Sequence, residues 1–274
     1  MKNVTFPGGR SVPALGQGTW HMGTDPCAFD AEADALRYGL DLGMTLIDTA
    51  EMYNDAELVV GKALSGRRDD AFVVSKVLPG NASARGTITA CERSLDRLNI
   101  ECLDLYLLHW PGPYPIEETL EAFNRLVSQG KIKRYGLSNF DVDGISKAHS
   151  VAGGEAICTN QVLYNLHERG IEWDLLPWCN ERGIPLMAYS PLNQGRLQPE
   201  VLEQIGARHN ANRYQVALAW LLQRDGVVVI PKATRQNHLE QNLAATRIEL
   251  TYEELKQIDR AFPPPGGPSS LAII

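Results

Sequence analysis

The chain has 274 residues, of which 44% are hydrophobic and 22% are charged, as in an ordinary globular protein. That length is ample to bury one large hydrophobic core. The net charge of −7 argues against nucleic acid or an anionic membrane surface as the main partner, although a local basic pocket for a phosphate is compatible with it.

The five cysteines lie far apart in the sequence and form no Cys-x-x-Cys pair. Reduced thiols are therefore expected, without a disulfide framework or a thiolate metal site. The first ten residues lack the apolar core of a signal peptide, and no apolar run approaches the roughly 18 residues of a spanning helix. These features predict a cytoplasmic protein.

In chain order, the pattern begins with a short hairpin over residues 4–12, followed by alternating strands and helices. The predicted strands are 14–18, 44–48, 71–76, 103–109, 132–138, 156–161, 185–189 and 227–231. The predicted helices between and after them are 29–42, 57–64, 83–98, 116–128, 142–149, 173–182 and 213–224. Two additional helices are predicted at 199–209, after the seventh strand, and at 251–261, which opens with a Thr-x-x-Glu capping box. Eight strands that alternate with helices predict an α/β protein with one domain over residues 1–274, a closed parallel (β/α)8 barrel.

Three consecutive predicted strands are apolar and end at an ionisable residue, respectively Asp48, Lys76 and His109. Tyr53 lies in the loop after the first of them. In isolation, Asp48 could cap a helix and Tyr53 could pack in the core. Because catalytic groups of a parallel barrel gather at the carboxyl ends of its strands, the four residues together predict one catalytic opening.

These residues belong to a set of motifs that resembles the aldo-keto reductases, a family of NAD(P)H-dependent carbonyl reductases with a barrel fold. The motifs are Gly16-Gln17-Gly18-Thr19-Trp20, Ile47-Asp48-Thr49-Ala50 with Tyr53, Lys76, Leu107-Leu108-His109-Trp110, Gly136-Leu137-Ser138-Asn139-Phe140, Asn160-Gln161, Ala188-Tyr189-Ser190-Pro191-Leu192 and Ile230-Pro231-Lys232. They follow the family's order over nearly the whole chain. Variants such as Glu51-Met52-Tyr53 look most like a bacterial branch that includes methylglyoxal reductases.

Carbonyl reduction requires a hydride on carbon and a proton on oxygen, and only a cofactor can supply the hydride. We expect Tyr53 to be the general acid, with Lys76 lowering the pKa of its phenol from about 10 and Asp48 holding Lys76 in place. His109 would orient the substrate oxygen. The resemblance implies the same roles at the same four positions.

Gly16-Gln17-Gly18 is not a Rossmann phosphate loop, because His21 stands at the position of the third glycine. The resemblance instead implies that Ser138, Asn139 and Gln161 hold the nicotinamide carboxamide and that Tyr189 stacks on the ring. Its other implied cofactor contacts are Gly18, Thr19, Trp20, Asp48, Ser190, Pro191, Leu192, Gln194, Gly195, Lys232, Ala233, Thr234, Arg235, His238, Gln241 and Asn242.

In the family, the lysine after the last strand binds the 2′-phosphate of NADPH, and here that residue is Lys232. His238 replaces a familiar arginine, and Gln241 replaces an acidic residue that often contacts adenine. The resemblance thus implies NADPH as the cofactor, with NADH as a weaker possibility. Trp20 and Trp110 are expected to line a substrate pocket with Tyr53 and His109, whereas His21, His149, His167 and His209 are expected to be surface or packing residues.

Two other interpretations stand beside a monomeric reductase of small dicarbonyls and aromatic aldehydes. Asp48 and His109 could be metal ligands, but a zinc site requires three or four ligands and Lys76 disfavours a cation there. No metal is therefore expected. The chain could also be a nicotinamide-binding subunit that regulates a partner with little turnover, as some family members do.

Overall fold

The computed structural model describes residues 1–197 and 200–274. The chain starts with a hairpin, β1 (Asn3–Thr5) and β2 (Ser11–Pro13), in which Val4 pairs with Val12. Phe6, in the connection, is buried and stacks on Phe72 at a ring-centroid distance of 5.5 Å. Because Phe72 is the first residue of its strand, the hairpin covers the amino-terminal end of the barrel.

Eight parallel strands form the barrel, each joined by hydrogen bonds to its neighbours in the order of the sequence. They are β3 (Gln17–Gly18), β4 (Leu46–Asp48), β5 (Phe72–Val77), β6 (Leu105–Leu108), β7 (Tyr135–Ser138), β8 (Ile157–Leu163), β9 (Leu186–Tyr189) and β10 (Val227–Val229). Their residues are almost all buried, as expected for parallel strands that are covered on both faces.

The first and last strands close the barrel along one seam. Leu15 bridges Val229 and Gly18 bridges Lys232, both in the parallel direction. The amide of Gly18 donates to the carbonyl of Pro231 at 3.0 Å, and a Cβ on Gly18 would lie 2.7 Å from the carbonyl oxygen of Ile230. Only glycine fits this approach, so the sequence Gly-x-Gly at 16–18 serves the closure of the barrel.

Ten α-helices lie in the part of the chain that the structure describes. They are α1 (Phe29–Asp41), α2 (Ala56–Leu64), α3 (Ala84–Leu98), α4 (Ile116–Ser128), α5 (Val142–Ser150), α6 (Leu175–Glu181), α7 (Glu200–Arg208), α8 (Arg213–Leu222), α9 (Gln236–Ala245) and α10 (Tyr252–Ala261). Asn212 and Thr251 begin α8 and α10 with complete capping boxes.

The predicted (β/α)8 barrel with an amino-terminal hairpin and two additional helices, α7 and α10, is confirmed. The predicted start of α7 at Pro199 lies outside the described residues. The helix after the eighth strand, α9, was not placed by the sequence pattern, because Gln236-Asn237-His238 is polar and Arg235 provides no capping side chain. Helix α6 begins at Leu175, two residues later than predicted, after a 3₁₀ turn at Gly170–Glu172.

None of the helices in the described part of the chain is long and apolar enough to cross a membrane.

Candidate active site

The carboxyl ends of β4, β5 and β6 deliver the predicted catalytic residues to one opening. The ammonium of Lys76 donates to Asp48 Oδ2 at 2.8 Å and to the backbone carbonyl of Thr49 at 2.8 Å. It also lies 3.3 Å from the hydroxyl of Tyr53. The rings of Tyr53 and His109 meet edge to face, with centroids 5.7 Å apart. The structure therefore brings all four residues together.

The loop that carries Tyr53 is fixed at Glu51, two residues before the tyrosine. Its backbone pairs with β5, since the amide of Glu51 donates to the carbonyl of Lys76 at 3.3 Å. The Glu51 carboxylate accepts from the amide of Leu78 at 2.5 Å and from the Asn81 side chain at 3.1 Å. Two neighbouring strand-end loops are thus tied together, which holds the phenol of Tyr53 beside Lys76.

Burial dominates the electrostatics of this cluster. Burial raises the pKa of Asp48 and outweighs the opposing charge of Lys76 and the bond from Gln161. Burial lowers the pKa of Lys76, but the charges and hydrogen bonds of Asp48 and Tyr53 together more than offset it, so the net shift is upward. Burial also raises the pKa of Tyr53, and Lys76 reverses only part of that rise. Lys76 thus lowers the pKa of Tyr53, as expected, but burial outweighs this effect and the net pKa lies above its usual value.

His109 is buried and neutral. Burial, together with the charge of Lys76, lowers the pKa of His109 to about 2. Its Nδ1 is buried and has no hydrogen-bond partner among the described residues. A protonated Nδ1 would need an acceptor, so the single proton of the neutral ring belongs on Nε2. Because Nδ1 is buried, the ring presents its Nε2 edge to the cavity that it lines.

A cavity of about 690 Å³ opens above these residues. Of the predicted site residues it is lined by Gly18, Thr19, Trp20, Asp48, Tyr53, His109, Trp110, Ser138, Asn139, Gln161, Tyr189, Ser190, Pro191, Leu192, Gln194, Gly195 and Lys232. Lys76 lies behind this wall and is fully buried. Lys76 thus acts on the cavity through Tyr53 and Asp48.

A second cavity, of about 730 Å³, shares Leu192, Gly195 and Lys232 with the first. The predicted residues Ala233, His238, Gln241 and Asn242 line it. Thr234 and Arg235 are not among its lining residues, although Arg235 is the N-cap of α9 and lacks a side-chain capping bond. The two cavities form one elongated cleft that runs from the catalytic opening to the start of α9.

The three predicted carboxamide-binding residues are already hydrogen bonded to the protein. Gln161 donates to Asp48 Oδ1 at 2.7 Å. Asn139 accepts from the Tyr189 hydroxyl at 2.9 Å and donates to the carbonyl of His109 at 3.0 Å and to Ser138 Oγ at 3.3 Å. Asn139 therefore fixes the Tyr189 ring, and these hydrogen bonds hold the side chains that line the cleft in place.

Unusual backbone conformations cluster around the cleft. His21, Asn139, Ser190 and Gln194 line it and have φ values of 65°, 59°, 46° and 53°. The left-handed region is costly for residues other than glycine and persists only where the surrounding structure imposes it. Four residues in this conformation surround one cleft, which marks the cleft as the functional region of the barrel.

Several lining residues were not predicted from the sequence. His21 was assigned to the surface or to packing, but it lines the cavity and stacks on Trp20 at a centroid distance of 4.2 Å. Met52, adjacent to Tyr53, also lines the cavity, as do Ile273 and Ile274 from the carboxyl-terminal tail. The left-handed turn at His21 has no sequence signature, and the position of the tail depends on distant contacts.

No group of three or more His, Cys, Asp or Glu side chains within 1–197 and 200–274 could hold a metal ion. The metal interpretation of Asp48 and His109 therefore has no ligand set in this part of the chain.

Comparison with known sequences decides the family. The model of the aldo/keto reductase family matches residues 14–262. This chain is an aldo-keto reductase. The expected enzyme class, an NAD(P)H-dependent oxidoreductase, is thereby confirmed.

Two curated relatives cover almost the whole of this aldo-keto reductase. The methylglyoxal reductase YeaE of Escherichia coli is 49% identical, over 100% of this chain and 99% of that protein. The glyoxal reductase of Bacillus subtilis is 35% identical, over 93% and 91% respectively. The structure of an aldo-keto reductase from Klebsiella pneumoniae in complex with NADPH superposes with a TM-score of 0.97 at 46% identity, covering 100% of this chain and 99% of that one.

Proposed function

We propose that this aldo-keto reductase uses NADPH to reduce small dicarbonyls and aromatic aldehydes to alcohols, with Tyr53 as the general acid. The observation that carries the proposal is the phenol of Tyr53 at the cavity wall, 3.3 Å from a buried ammonium that is itself paired with Asp48. A proton donor, a cation behind it and an apolar cavity in front are the parts that carbonyl reduction requires.

The cleft fits a nicotinamide cofactor, which when bound supplies the hydride. Ser138, Asn139 and Gln161 would hold the carboxamide, with Tyr189 against the ring. Tyr189 supports this role because Asn139 holds its hydroxyl and its ring lines the cavity. The loop with Ser190, Pro191, Leu192, Gln194 and Gly195 connects the two cavities, where a pyrophosphate would extend.

At the other end of the cleft, Lys232 would bind the 2′-phosphate. Lys232 is exposed, and it forms no ion pair within the described ranges. It lies next to the start of α9, whose first amides lack a side-chain cap. Uncapped helix amides and a free cation favour a phosphate. We therefore propose NADPH as the cofactor and weaker binding of NADH, with Thr234, Arg235 and His238 near the same phosphate.

Burial suits Tyr53 to its role as an acid. A phenol with a raised pKa keeps its proton at neutral pH, so the donor is loaded before the substrate enters. As negative charge develops on the substrate oxygen, Lys76 stabilises the phenolate that the proton transfer leaves behind. Neutral His109 would donate its Nε2 hydrogen to the same oxygen and orient it.

The walls of the cavity favour small or flat apolar carbonyl compounds. Trp20, Trp110, Met52 and Ile273 contribute apolar surface around the opening. Such walls provide few partners for the hydroxyls of a sugar, and burying an unpaired hydroxyl costs about 1–3 kcal/mol. Two relatives, a methylglyoxal reductase and a glyoxal reductase, support this substrate class.

The test is NADPH oxidation with methylglyoxal, 4-nitrobenzaldehyde and glucose, compared per concentration of free aldehyde. We expect kcat/KM for the small or aromatic aldehydes to exceed that for glucose by at least about tenfold, the equivalent of ~1.4 kcal/mol. If kcat/KM for glucose equals that for the two aldehydes, the interpretation of the cavity as apolar is wrong. Tight NADPH binding with negligible turnover of all three would instead support a regulatory subunit.

We further propose that the enzyme is a cytoplasmic monomer with residues 1–274 as one domain. Size-exclusion chromatography with light scattering tests the monomer, and one cooperative unfolding transition is expected for one domain.

A further inference from the structure

The carboxyl-terminal tail, residues 262–274, reaches from the end of α10 to the catalytic cavity. Its final residues, Ile273 and Ile274, line the cavity, yet their exposed fractions are 54% and 61%. Side chains that are more than half exposed make few stabilising contacts of their own. The backbone of Ile274 lies beside the Tyr189 hydroxyl, and the other contacts that hold the tail lie earlier in it.

Arg169, in the loop after β8, is bonded to the beginning of that tail. Its side chain is only 5% exposed, and its Nη1 donates to Asp259 Oδ1 at 2.8 Å and to the carbonyl of Phe262 at 2.5 Å. Nε and Nη2 form a two-point bond to Glu172, at 2.9 and 2.8 Å. These four residues are called the arginine clasp below.

The clasp itself is rigidly supported. The Glu172 carboxylate also accepts from the Tyr164 hydroxyl at 2.8 Å, and the guanidinium of Arg169 lies over the Trp220 ring at 4.9 Å. Tyr164 and Trp220 are both fully buried. A guanidinium held by a bidentate carboxylate and an aromatic face has little freedom, so its bonds to Asp259 and Phe262 fix the end of α10 in space.

From the clasp the tail runs over the same loop towards the cavity. Phe262 meets His167 edge to face at 4.9 Å, and Ser269 Oγ lies 2.5 Å from the position that a Cβ on Gly170 would occupy. Leu271 packs against the core. The proline run at 263–265 restricts the backbone in between. The position of the clasp therefore determines where Ile273 and Ile274 lie.

We propose that the arginine clasp sets substrate selectivity by holding Ile273 and Ile274 against the distal part of an aromatic aldehyde. Arg169 and Asp259 are then positioning residues that touch neither the substrate nor the cofactor. The proposal rests on the proposed reductase function. A small dicarbonyl such as methylglyoxal is too short to need this wall, whereas an aromatic ring extends towards it.

The test uses Asp259→Ala, because the Asp259 side chain is 44% exposed and its loss spares the buried part of the clasp. KM for 4-nitrobenzaldehyde should rise about fivefold, as for loss of part of one apolar contact. The kcat for this substrate, KM for methylglyoxal and Kd for NADPH should change less than about twofold. Asp259→Glu should restore much of the selectivity.

Glu253→Ala is the matched control, since it removes an exposed pair with Lys256 from the same helix without touching the tail. A second background carries Ile273→Ala and Ile274→Ala, where Asp259→Ala should have almost no further effect on KM. An equal effect in the control, or an undiminished effect in this background, would overturn the proposal, as would unchanged selectivity of Asp259→Ala.

Hydrogen exchange separates this proposal from the proposed function. Tail amides should exchange faster in Asp259→Ala than in the wild type or in Glu253→Ala, whether or not any aldehyde is reduced. If the wild type reduces neither aldehyde, the proposed function fails although the exchange difference persists. If the wild type reduces both and the tail amides are unaffected, the clasp proposal alone fails.

Discussion

Two buried aspartates, one on β4 and one just before β6, lie at opposite ends of the barrel and have different hydrogen-bond and ion-pair partners. Asp48, at the catalytic end of β4, has one cation, Lys76, and one amide, Gln161. Asp104, just before β6 at the hairpin end of the barrel, has two cations, Arg68 and Lys133, at 2.7 and 2.8 Å and the backbone amide of Val73 at 3.0 Å.

The two carboxyl groups shift in opposite directions as a result. Burial raises the pKa of both, but at Asp104 the bonds from Lys133, Val73 and Arg68 outweigh burial and the net pKa falls. At Asp48, burial wins. Two cations and an amide keep Asp104 charged, which stabilises the folded chain, whereas Asp48 has one cation and lines the cavity. The barrel thus separates stability from chemistry along its axis.

The largest expected effect is at the catalytic end. Tyr53→Phe removes the proposed proton donor and should lower kcat by roughly 10²-fold or more, while Kd for NADPH stays close to that of the wild type. Tyr106→Phe is the control, because this buried tyrosine of β6 contacts Phe123 of α4 outside the barrel. Steady-state and single-turnover kinetics measure the effect. A Tyr53→Phe enzyme with normal kcat, when chemistry limits the rate, would refute the assignment.

At the hairpin end, Asp104→Ala should cost stability and spare catalysis. Breaking a buried ion pair costs about 3–5 kcal/mol when the remaining charge stays buried. Here the partners are partly exposed, at 26% and 55%, so we expect about 2–3 kcal/mol, discounted for solvent screening. Urea unfolding measures this change. A stable variant with impaired kcat would contradict the separation drawn above.

Lys232 has no ion-pair partner within 1–197 and 200–274, and its substitution tests whether this cation binds the cofactor. A charge-assisted contact to phosphate contributes about 1.5–3 kcal/mol, so Lys232→Ala should raise Kd for NADPH by about tenfold or more and leave Kd for NADH almost unchanged. Fluorescence titration with both cofactors provides the comparison. Equal weakening of the two would mean that Lys232 does not read the 2′-phosphate.

The smallest effect concerns His109 and pH. Its pKa is about 2 in the folded protein against about 6.5 in the unfolded chain. Its contribution to stability is therefore complete above about pH 6.5 and is lost as the pH falls, because only the unfolded chain then takes up the proton. Between pH 7.5 and 6.0 this loss amounts to about 0.8 kcal/mol.

His109→Gln should remove that part of the pH dependence. Urea unfolding of both proteins at the two pH values gives the difference between them. The same slope in the wild type and in His109→Gln would show that folding does not lower the pKa of His109.

The residues at the carboxyl ends of the strands were largely predictable because each follows an apolar strand. Asp48, Lys76 and His109 end three consecutive apolar strands, and parallel neighbours necessarily place such ends side by side. Tyr53 followed from its distance to Asp48. Each of these inferences needs only local sequence and one topological rule.

The remaining features depend on distances that local sequence does not encode. The direction of the Tyr53 pKa shift depends on how completely the barrel buries the phenol relative to its distance from Lys76. The placement of Ile273 depends on a bond between Arg169 and Phe262, which are 93 residues apart. The sequence of helix α9 has little helical pattern of its own, and the helix is stabilised by contacts with α1. In one of them the hydroxyl of Tyr38 donates to Glu240 at 2.6 Å.

The seam between Gly18 and Lys232 also governs when the enzyme becomes active during folding. It joins segments more than two hundred residues apart, among the most distant pairings in the chain. Contacts of such long range form slowly, because the intervening chain must first be ordered. The same pairing brings Lys232 beside Gly18 and Trp20 in the cleft. A nascent chain can therefore build most of its strands and still lack a cofactor site until the barrel closes.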